Sequence, residues 1–222
     1  MNAVYSNNIN ALSGKQYLGG MEASNHLYIF YAGDKSIFMD EMDPAAGQLK
    51  GNALSLGFSD DPRTLKTGFS SDSSYCYALF KCGTFKSKDE IFRGVVMDRD
   101  MKLVTKFSFQ LSDVKNFIDR TISTLSNQGQ LFVVNAIRTK SEKGDYRPLQ
   151  YLVNSIDKEG SAKTSYTTGL PSGRLDNLYC TPAINGFTIT GMLSKSEKEG
   201  FTTIFTGQYD NEQKKVINQK QN

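Results

Sequence analysis

A charged motif that recurs at an almost constant interval restricts the possible folds of this chain more than any other feature. KSEKGDY begins at Lys140, KSEKEGF begins at Lys195, and a looser relative, KSKDEIF, begins at Lys86. The copies are separated by 54 and 55 residues in a chain of 222. A regular interval of this length indicates an array of similar supersecondary units, each of which buries its apolar surface against the next.

Apolar runs flank the motif in each unit, and a further unit without the motif precedes them. The runs before the motif follow turn-forming residues and begin at Leu27, Tyr75, Leu131 and Phe187. The runs after the motif each end in an aspartate, at Asp43, Asp98, Asp157 and Asp210. Because an aspartate at the first position of a turn accepts a hydrogen bond from the backbone two residues on, each of them predicts a tight turn.

Apolar and polar side chains alternate with period two inside these runs. In LVTKFSFQL, Phe107 and Phe109 have one parity, whereas Lys106 and Ser108 have the other. Such alternation predicts β-strands with one buried face, and the many β-branched and aromatic residues fit a pleated surface. The side chains expected in the core between neighbouring units are Phe107, Phe109, Leu131, Val133, Phe187 and Ile189.

Each unit is therefore predicted to contain four strands in about 55 residues, which is typical of a β-propeller blade. The predicted fold is all-β: a β-propeller-like array of about four four-stranded antiparallel blades in a single domain, 1–222. The blades are expected at about 15–58, 64–111, 119–170 and 175–219. We interpret 111–122 as a loop with one helical turn. Four blades are near the lower limit for a closed ring, so the array is expected to be part of a larger propeller.

The order of turn, apolar run, charged motif and aspartate turn resembles the blades of uncharacterised β-propeller proteins of Bacteroidota. SSDSSYCYALF and SNQGQLFVVNA are similar, more distantly, to repeats that have a Ser-Pro-Asp-Gly turn before a Tyr-Val strand, although the proline is missing here. The resemblance covers nearly the whole chain and implies a longer, exported protein at the periplasm or cell surface. The resemblance implies no active-site residues for this chain. The N-terminal residues MNAVYSNNIN lack the features of a signal peptide.

Composition argues against several classes of function. The formal net charge is +3 and the basic residues are scattered, which disfavours a nucleic-acid partner. No apolar run approaches the roughly 18 residues of a membrane helix. Cys76, Cys82 and Cys180 lack the paired spacing of zinc ligands, so neither a metal nor another cofactor is expected and the cysteines are interpreted as small buried residues.

The residue pattern gives little evidence of a catalytic site. A serine or cysteine nucleophile normally needs a histidine base, and the only histidine, His26, stands at a predicted strand start. We therefore expect no catalytic residue and predict a non-catalytic binding or scaffolding propeller that is not an enzyme. Two alternatives stay open. One is a glycan-active propeller enzyme with carboxylates such as Asp60 and Asp61, or Asp98 and Asp100; the other is a structural subunit whose blades complete a ring with another chain.

The segments that join successive blades contain the candidate binding residues. These segments, at 59–63, 112–120 and 171–176, should lie on the same face as the KSE motifs and lead into the innermost strands. Each contains an arginine close to an aspartate: Arg63 with Asp61, Arg120 with Asp119, and Arg174 with Asp176. Guanidinium groups that share one face would hold a protein or an acidic ligand by paired hydrogen bonds. The alternative is that they are local turn and ion-pair residues.

Overall fold

Four antiparallel sheets, which follow one another along the chain, contain the strands of the described residues. The computed structural model describes residue 12 and residues 14–33, 36–58, 61–83, 89–112, 118–137, 150–167, 174–183, 186–194 and 203–222. Within each sheet the strands are in sequence order, and each strand after the first pairs with the one before it, except β5, which pairs with β3. The predicted all-β array of four antiparallel blades is confirmed.

The strands have the following bounds. The first sheet contains β1 (Gln16–Ala23), β2 (His26–Gly33), β3 (Ser36–Asp43), β4 (Gln48–Leu49) and β5 (Leu54–Ser55). The second contains β6 (Pro62–Phe69), β7 (Tyr75–Cys82), β8 (Glu90–Asp98) and β9 (Leu103–Leu111). The third contains β10 (Ile118–Leu125), β11 (Leu131–Ile137), β12 (Gln150–Ile156) and β13 (Ala162–Tyr166). The fourth contains β14 (Arg174–Ala183), β15 (Gly186–Ser194), β16 (Thr203–Asp210) and β17 (Lys215–Gln221).

The first sheet departs from the repeat at its outer side. Its fourth strand is divided into the two short strands β4 and β5, which both pair with β3. In the other sheets one continuous strand occupies this place. The KSE motifs connect the second strand to the third in their sheets, and their residues 86–88, 140–146 and 195–201 lie outside the described part of the chain.

The aspartates that end the third strands form the predicted turns. In each turn the Oδ1 atom accepts a hydrogen bond from the backbone N–H two residues on, at 2.8 Å from Ala45, 3.0 Å from Asp100, 3.1 Å from Glu159 and 2.8 Å from Glu212. A second backbone N–H donates to the same oxygen in all four turns. The turn prediction is confirmed, and these turns lie at the edge of the sheets opposite to the KSE connections.

Substitution of Asp157 by alanine is expected to lower the free energy of unfolding by about 1 kcal/mol, because two backbone N–H groups lose their acceptor. The bonds from Glu159 N and Ser161 N, 3.1 and 2.8 Å long, are the ones removed. Urea denaturation measures the change. Asp100→Ala, at an exposed position of the equivalent turn in the second sheet, is the control and should change stability by less than about 0.5 kcal/mol. Equal effects of the two substitutions would contradict the assigned role of Asp157.

The sheets stack through their first strands. β1 contacts β6, β6 contacts β10, and β10 contacts β14, while the outer strands β9 and β13 also meet. The first strands therefore form the inner side of the array, and the remaining strands extend outward from them. No contact of comparable extent joins β14 to β1 in the described ranges, so the array is open between its fourth and first sheets.

Three apolar clusters fill the spaces between neighbouring sheets. One joins the first and second sheets, one the second and third, and one the third and fourth. The predicted core residues are all buried in the second and third clusters, which confirms the strand parity: Phe107, Phe109, Leu131, Val133, Phe187 and Ile189. Cys76 and Cys82 are buried as free thiols in the first cluster, as expected.

The interpretation of 111–122 as a loop with a helical turn is wrong for its second half. β10 begins at Ile118, and its register pairs Ile118 with Ile137 and Ile122 with Val134. Pairing with the strongly apolar strand β11 outweighs the local preference of this polar segment, because strand formation depends on the neighbouring strand more than on intrinsic propensity. The described ranges contain no helix that is both long and apolar enough to cross a membrane.

Candidate functional site

The arginine and aspartate pairs lie where the first strands of three successive sheets begin. Asp61 directly precedes β6, and the other five residues are within the first three positions of their strands: Arg63 in β6, Asp119 and Arg120 in β10, and Arg174 and Asp176 in β14. We call these six positions the inner rim. The antiparallel order of each sheet brings the start of its first strand to the same edge as the connection between its second and third strands.

Each first strand has a β-bulge close to this edge. The register shifts between Tyr17 and Gly19 in β1, between Pro62 and Thr64 in β6, between Ile118 and Arg120 in β10, and between Asp176 and Tyr179 in β14. A bulge adds an unpaired residue and changes the direction of the side chains beside it, and bulges are frequent next to functional sites. The bulges cannot be predicted from the alternation of apolar and polar residues, because that alternation stops where a bulge occurs.

Arg63 is the inner-rim arginine whose side chain the structure describes, and it binds within its own sheet. Its Nη2 atom is 2.9 Å from Oε2 of Glu90 and donates to the carbonyl oxygen of Cys82 at 3.0 Å. Lys81 Nζ lies 3.0 Å from the other carboxylate oxygen of Glu90. This buried cluster connects the start of β6 to the end of β7 and the start of β8. Glu90 was missed by sequence reasoning, since it lies in the charged motif that begins at Lys86 and was not singled out there.

A cleft of about 650 Å³ lies on the inner side of the array and has both polar and apolar lining residues. It extends over the first strands of the second, third and fourth sheets. Its lining residues are Lys66, Thr67, Tyr77, Thr121, Ile122, Ser123 and Leu178. We call it the inner cleft. Thr121 directly follows Arg120 of the rim, and Leu178 is two residues after Asp176, so the cleft is lined by residues that are close in sequence to rim positions.

Lys66 supplies the positive charge of the inner cleft. Its ammonium group donates a hydrogen bond to the backbone carbonyl oxygen of Thr121 and so connects β6 to β10. Partial burial of this group lowers the pKa of Lys66, and the nearby charge of Lys81 lowers it further. Because the Lys66 ammonium is already held at the junction of two sheets, its side chain loses little conformational entropy when it binds an anion or a hydroxyl group.

Hydroxyl groups surround Lys66 on both sides of the junction. Tyr77 Oη and Ser123 Oγ are 2.8 Å apart, and burial raises the pKa of the Tyr77 phenol while the hydrogen bond to Ser123 lowers it. Thr121 Oγ1 donates to Oδ1 of the buried Asn135 at 2.9 Å. A surface with several hydroxyl groups and one ammonium is suited to hydrogen bonding with a polar ligand.

The other titratable groups singled out in the sequence are at a distance from this surface. His26 begins β2 at the opposite edge, where its Nδ1 contacts Oε1 of Glu41. Asp98 uses its carboxylate in the turn after β8, and Asp100 lies in that same turn. Asp60 lies outside the described residues. Among the residues that the structure describes, no group of three His, Cys, Asp or Glu side chains is arranged to hold a metal ion.

Comparison with known proteins gives a fold but no family. No protein family and no curated protein matches this chain. Among solved structures, an apocarotenoid oxygenase mutant of Synechocystis is similar with a TM-score of 0.50 and 8% identity, over 91% of this chain and 47% of that protein. The chain therefore spans about half the length of that enzyme.

Two glycosidases are also similar, at lower TM-scores. An alpha-L-arabinofuranosidase from Clostridium thermocellum matches with a TM-score of 0.39 and 11% identity, over 92% of this chain and 71% of that protein. An endo-arabinanase from Bacillus licheniformis matches with a TM-score of 0.35 and 10% identity, over 91% of this chain and 77% of that protein. At these identities the likeness is one of fold.

The prediction of a non-catalytic binding or scaffolding propeller, and of a protein that is not an enzyme, is contradicted by the comparison with the apocarotenoid oxygenase, because over 91% of its length this chain has a fold similar to part of an enzyme. That prediction relied on the absence of a histidine cluster. Such an absence argues only against chemistry that uses histidine, whereas carboxylate chemistry needs no histidine. In a propeller the carboxylates come from different blades, so their proximity is not visible as a motif.

Proposed function

We propose that this chain forms part of a β-propeller enzyme that acts on glycans, with the inner rim and the inner cleft as its active site. Two of the three rim aspartates, Asp61, Asp119 and Asp176, act as the acid and base of glycoside hydrolysis. The observation that carries the proposal is their equivalent position: one aspartate at the start of the first strand in each of three adjacent sheets.

The spacing of the strands suits this chemistry. Glycoside hydrolysis uses two carboxyl groups about 5–5.5 Å apart in retaining enzymes and about 6.5–9.5 Å apart in inverting ones. Contacts between β6 and β10, and between β10 and β14, bring Cα atoms to within 8 Å. Neighbouring first strands are therefore close enough for residues of two sheets to contribute to one site. Chemistry based on two carboxyl groups needs neither a histidine nor a metal ion.

The surface around the aspartates supplies the remaining parts of a sugar site. Lys66, Thr67 and Ser123 offer hydrogen-bonding groups in the cleft, and Leu178 offers an apolar patch. Tyr17, exposed near the start of β1, presents an aromatic ring with a hydroxyl at the same edge. Arg120 and Arg174 are suited to hold an anionic group of the ligand by paired hydrogen bonds.

Hydrolysis of chromogenic glycosides and dye-linked polysaccharides, with arabinan included, tests the proposal. The purified chain is assayed beside Asp61→Asn, Asp119→Asn and Asp176→Asn. Removal of an acid or base is expected to lower kcat/KM by at least about 100-fold in two of the three variants. Asp100→Asn, at an exposed aspartate of the opposite edge, is the matched control and should keep full activity.

Two results would refute this function. One is activity that survives all three substitutions together. The other is the absence of hydrolysis for every glycoside tested, combined with no chemical-shift change for residues of the inner cleft when oligosaccharides are titrated into the labelled protein.

A further inference from the structure

The described residues that line the inner cleft include a single charged side chain, that of Lys66. The inner rim, whose residues are close in sequence to those of the cleft, contains three arginines and three aspartates. Lys81, whose charge acts on Lys66, is matched by Glu90, because its Nζ atom lies 3.0 Å from a carboxylate oxygen of Glu90. Together these positions therefore have a surplus of one positive charge, and Lys66 supplies it.

The contacts of Lys66 leave its charge without a counterion. Its ammonium group donates a hydrogen bond to the backbone carbonyl oxygen of Thr121, which has a dipole but no net charge. None of the ion pairs in the described part of the chain includes Lys66. Although the side chain as a whole is exposed, its ammonium group lies at the junction of β6 and β10, where desolvation lowers the pKa of Lys66. An anion bound at this junction would offset the desolvation of the cation.

A hydroxyl group of the same cleft has a hydrogen to donate. Tyr77 Oη is 3.3 Å from the carbonyl oxygen of Ser123 and 2.8 Å from its Oγ atom. Because the carbonyl oxygen can only accept, the single phenol hydrogen is directed at Ser123, and the serine hydroxyl keeps its own hydrogen for another partner. Thr121 differs, since its hydroxyl already donates to Asn135 at 2.9 Å. Lys66 and Ser123 therefore supply one charged and one neutral donor to a ligand.

This pair of donors favours a group with one negative charge and at least two oxygen atoms. A carboxylate and a sulfate ester both meet this description. A phosphate monoester has a charge of about −1.5 to −2 at neutral pH, which one lysine does not match. The cleft volume of about 650 Å³ is within the range of about 300–1,000 Å³ that is usual for small-molecule sites.

We propose that the inner cleft selects acidic glycans, in which Lys66 binds the carboxylate or sulfate group of one sugar and Ser123 donates a second hydrogen bond to it. This inference rests on the proposed function, because it names the substrate class of the same site. Lys66 and Ser123 are assigned to binding and not to the acid and base steps. Selection of the acidic group is therefore measurable without hydrolysis.

Isothermal titration calorimetry of the purified chain with digalacturonate and with galactobiose tests the proposal. The two disaccharides share a sugar skeleton, and the first has carboxylates where the second has neutral hydroxymethyl groups. Digalacturonate is expected to bind at least about tenfold more tightly, which is the size expected of a hydrogen bond between charged groups. The preference should decrease when the salt concentration is raised, because salt screens the interaction. Galactobiose sulfated at O6 shows whether a carboxylate or a sulfate ester is the better source of the charge.

Substitutions assign the preference to the two donors. Lys66→Met should bind digalacturonate and galactobiose with similar affinity, whereas Lys66→Arg keeps the charge and should keep most of the preference. Ser123→Ala should lose part of it. Lys106→Met, at an exposed lysine of the outer strand β9, is the matched control and should retain the full preference. Circular dichroism checks that each variant folds.

Several results would overturn the inference: equal affinity of the wild-type chain for both disaccharides, a preference that survives Lys66→Met, or tighter binding of galactobiose 6-phosphate than of either singly charged ligand. The hydrolysis assays decide on the proposed function separately. Digalacturonate that is bound through Lys66 but never cleaved would refute hydrolysis and support the inference. Cleavage of neutral glycosides without a preference for acidic ones would refute the inference alone.

Discussion

Replacement of Glu90 by glutamine is expected to lower the free energy of unfolding by about 3 kcal/mol. The Glu90 carboxylate is 2% exposed and is the anion for both Arg63 and Lys81, at 2.9 and 3.0 Å. Without its charge, two cations lie close together with no anion between them. Loss of one member of a buried ion pair typically costs about 3–5 kcal/mol, and the partial exposure of Lys81 argues for the low end of that range.

Urea denaturation at neutral pH measures this loss, and the chain contains a matched control. Glu41 also contacts two basic side chains, those of Lys50 and His26, but at the surface. The same Glu→Gln change there should have a small fraction of the Glu90 effect, because solvent screens exposed charges. Equal effects at the two sites, or a loss under about 1 kcal/mol at Glu90, would show that the cluster around Glu90 is not a buried ion-pair network.

Truncation of Phe109 to alanine is expected to cost about 3–5 kcal/mol, the usual penalty for removing a packed phenylalanine. Phe109 is 8% exposed and lies between the second and third sheets. Its ring stacks on Phe92 at a centroid distance of 5.0 Å and is 6.4 Å from the ring of Phe107. The substitution leaves a cavity at a junction between blades and removes both aromatic contacts.

Phe69→Ala is the matched control for this truncation. Phe69 is a phenylalanine on the first strand of the same sheet and is 41% exposed, so less apolar surface is lost. Its truncation should therefore cost much less than that of Phe109, as measured by thermal or urea unfolding. A loss under about 1 kcal/mol for Phe109→Ala would mean that the parity assigned to β9 is wrong.

The two large effects test different kinds of sequence information. Phe109 was predicted to be buried from the alternation in LVTKFSFQL, a pattern that follows directly from the geometry of a strand. Glu90 was not predicted, because its role depends on Arg63 and Lys81, which are brought to it by pairing between β6, β7 and β8. A local pattern contains no information about such partners.

The candidate site also combines positions that the sequence predicted with contacts that it did not predict. The positions of Asp61, Asp119 and Asp176 at the entrances to the first strands follow from the repeat and were predicted. The bulges beside them, the bond from Lys66 to the Thr121 carbonyl and the pair formed by Tyr77 and Ser123 were not. Each of these requires two sheets, or two strands, to be in a particular register.

Local patterns in the chain are therefore sufficient for most of the strands, with the start of β10 as an exception, and for the aspartate turns, the number of sheets and the buried parity. All of these depend on residues that are neighbours along the chain, where strand geometry and turn hydrogen bonds act directly. Stacking of the sheets decided the rest: which first strands meet, where the inner cleft lies and which partners Arg63 has. Those features arise from contacts between residues tens of positions apart, whose energies depend on the packed structure and leave no periodic trace in the sequence.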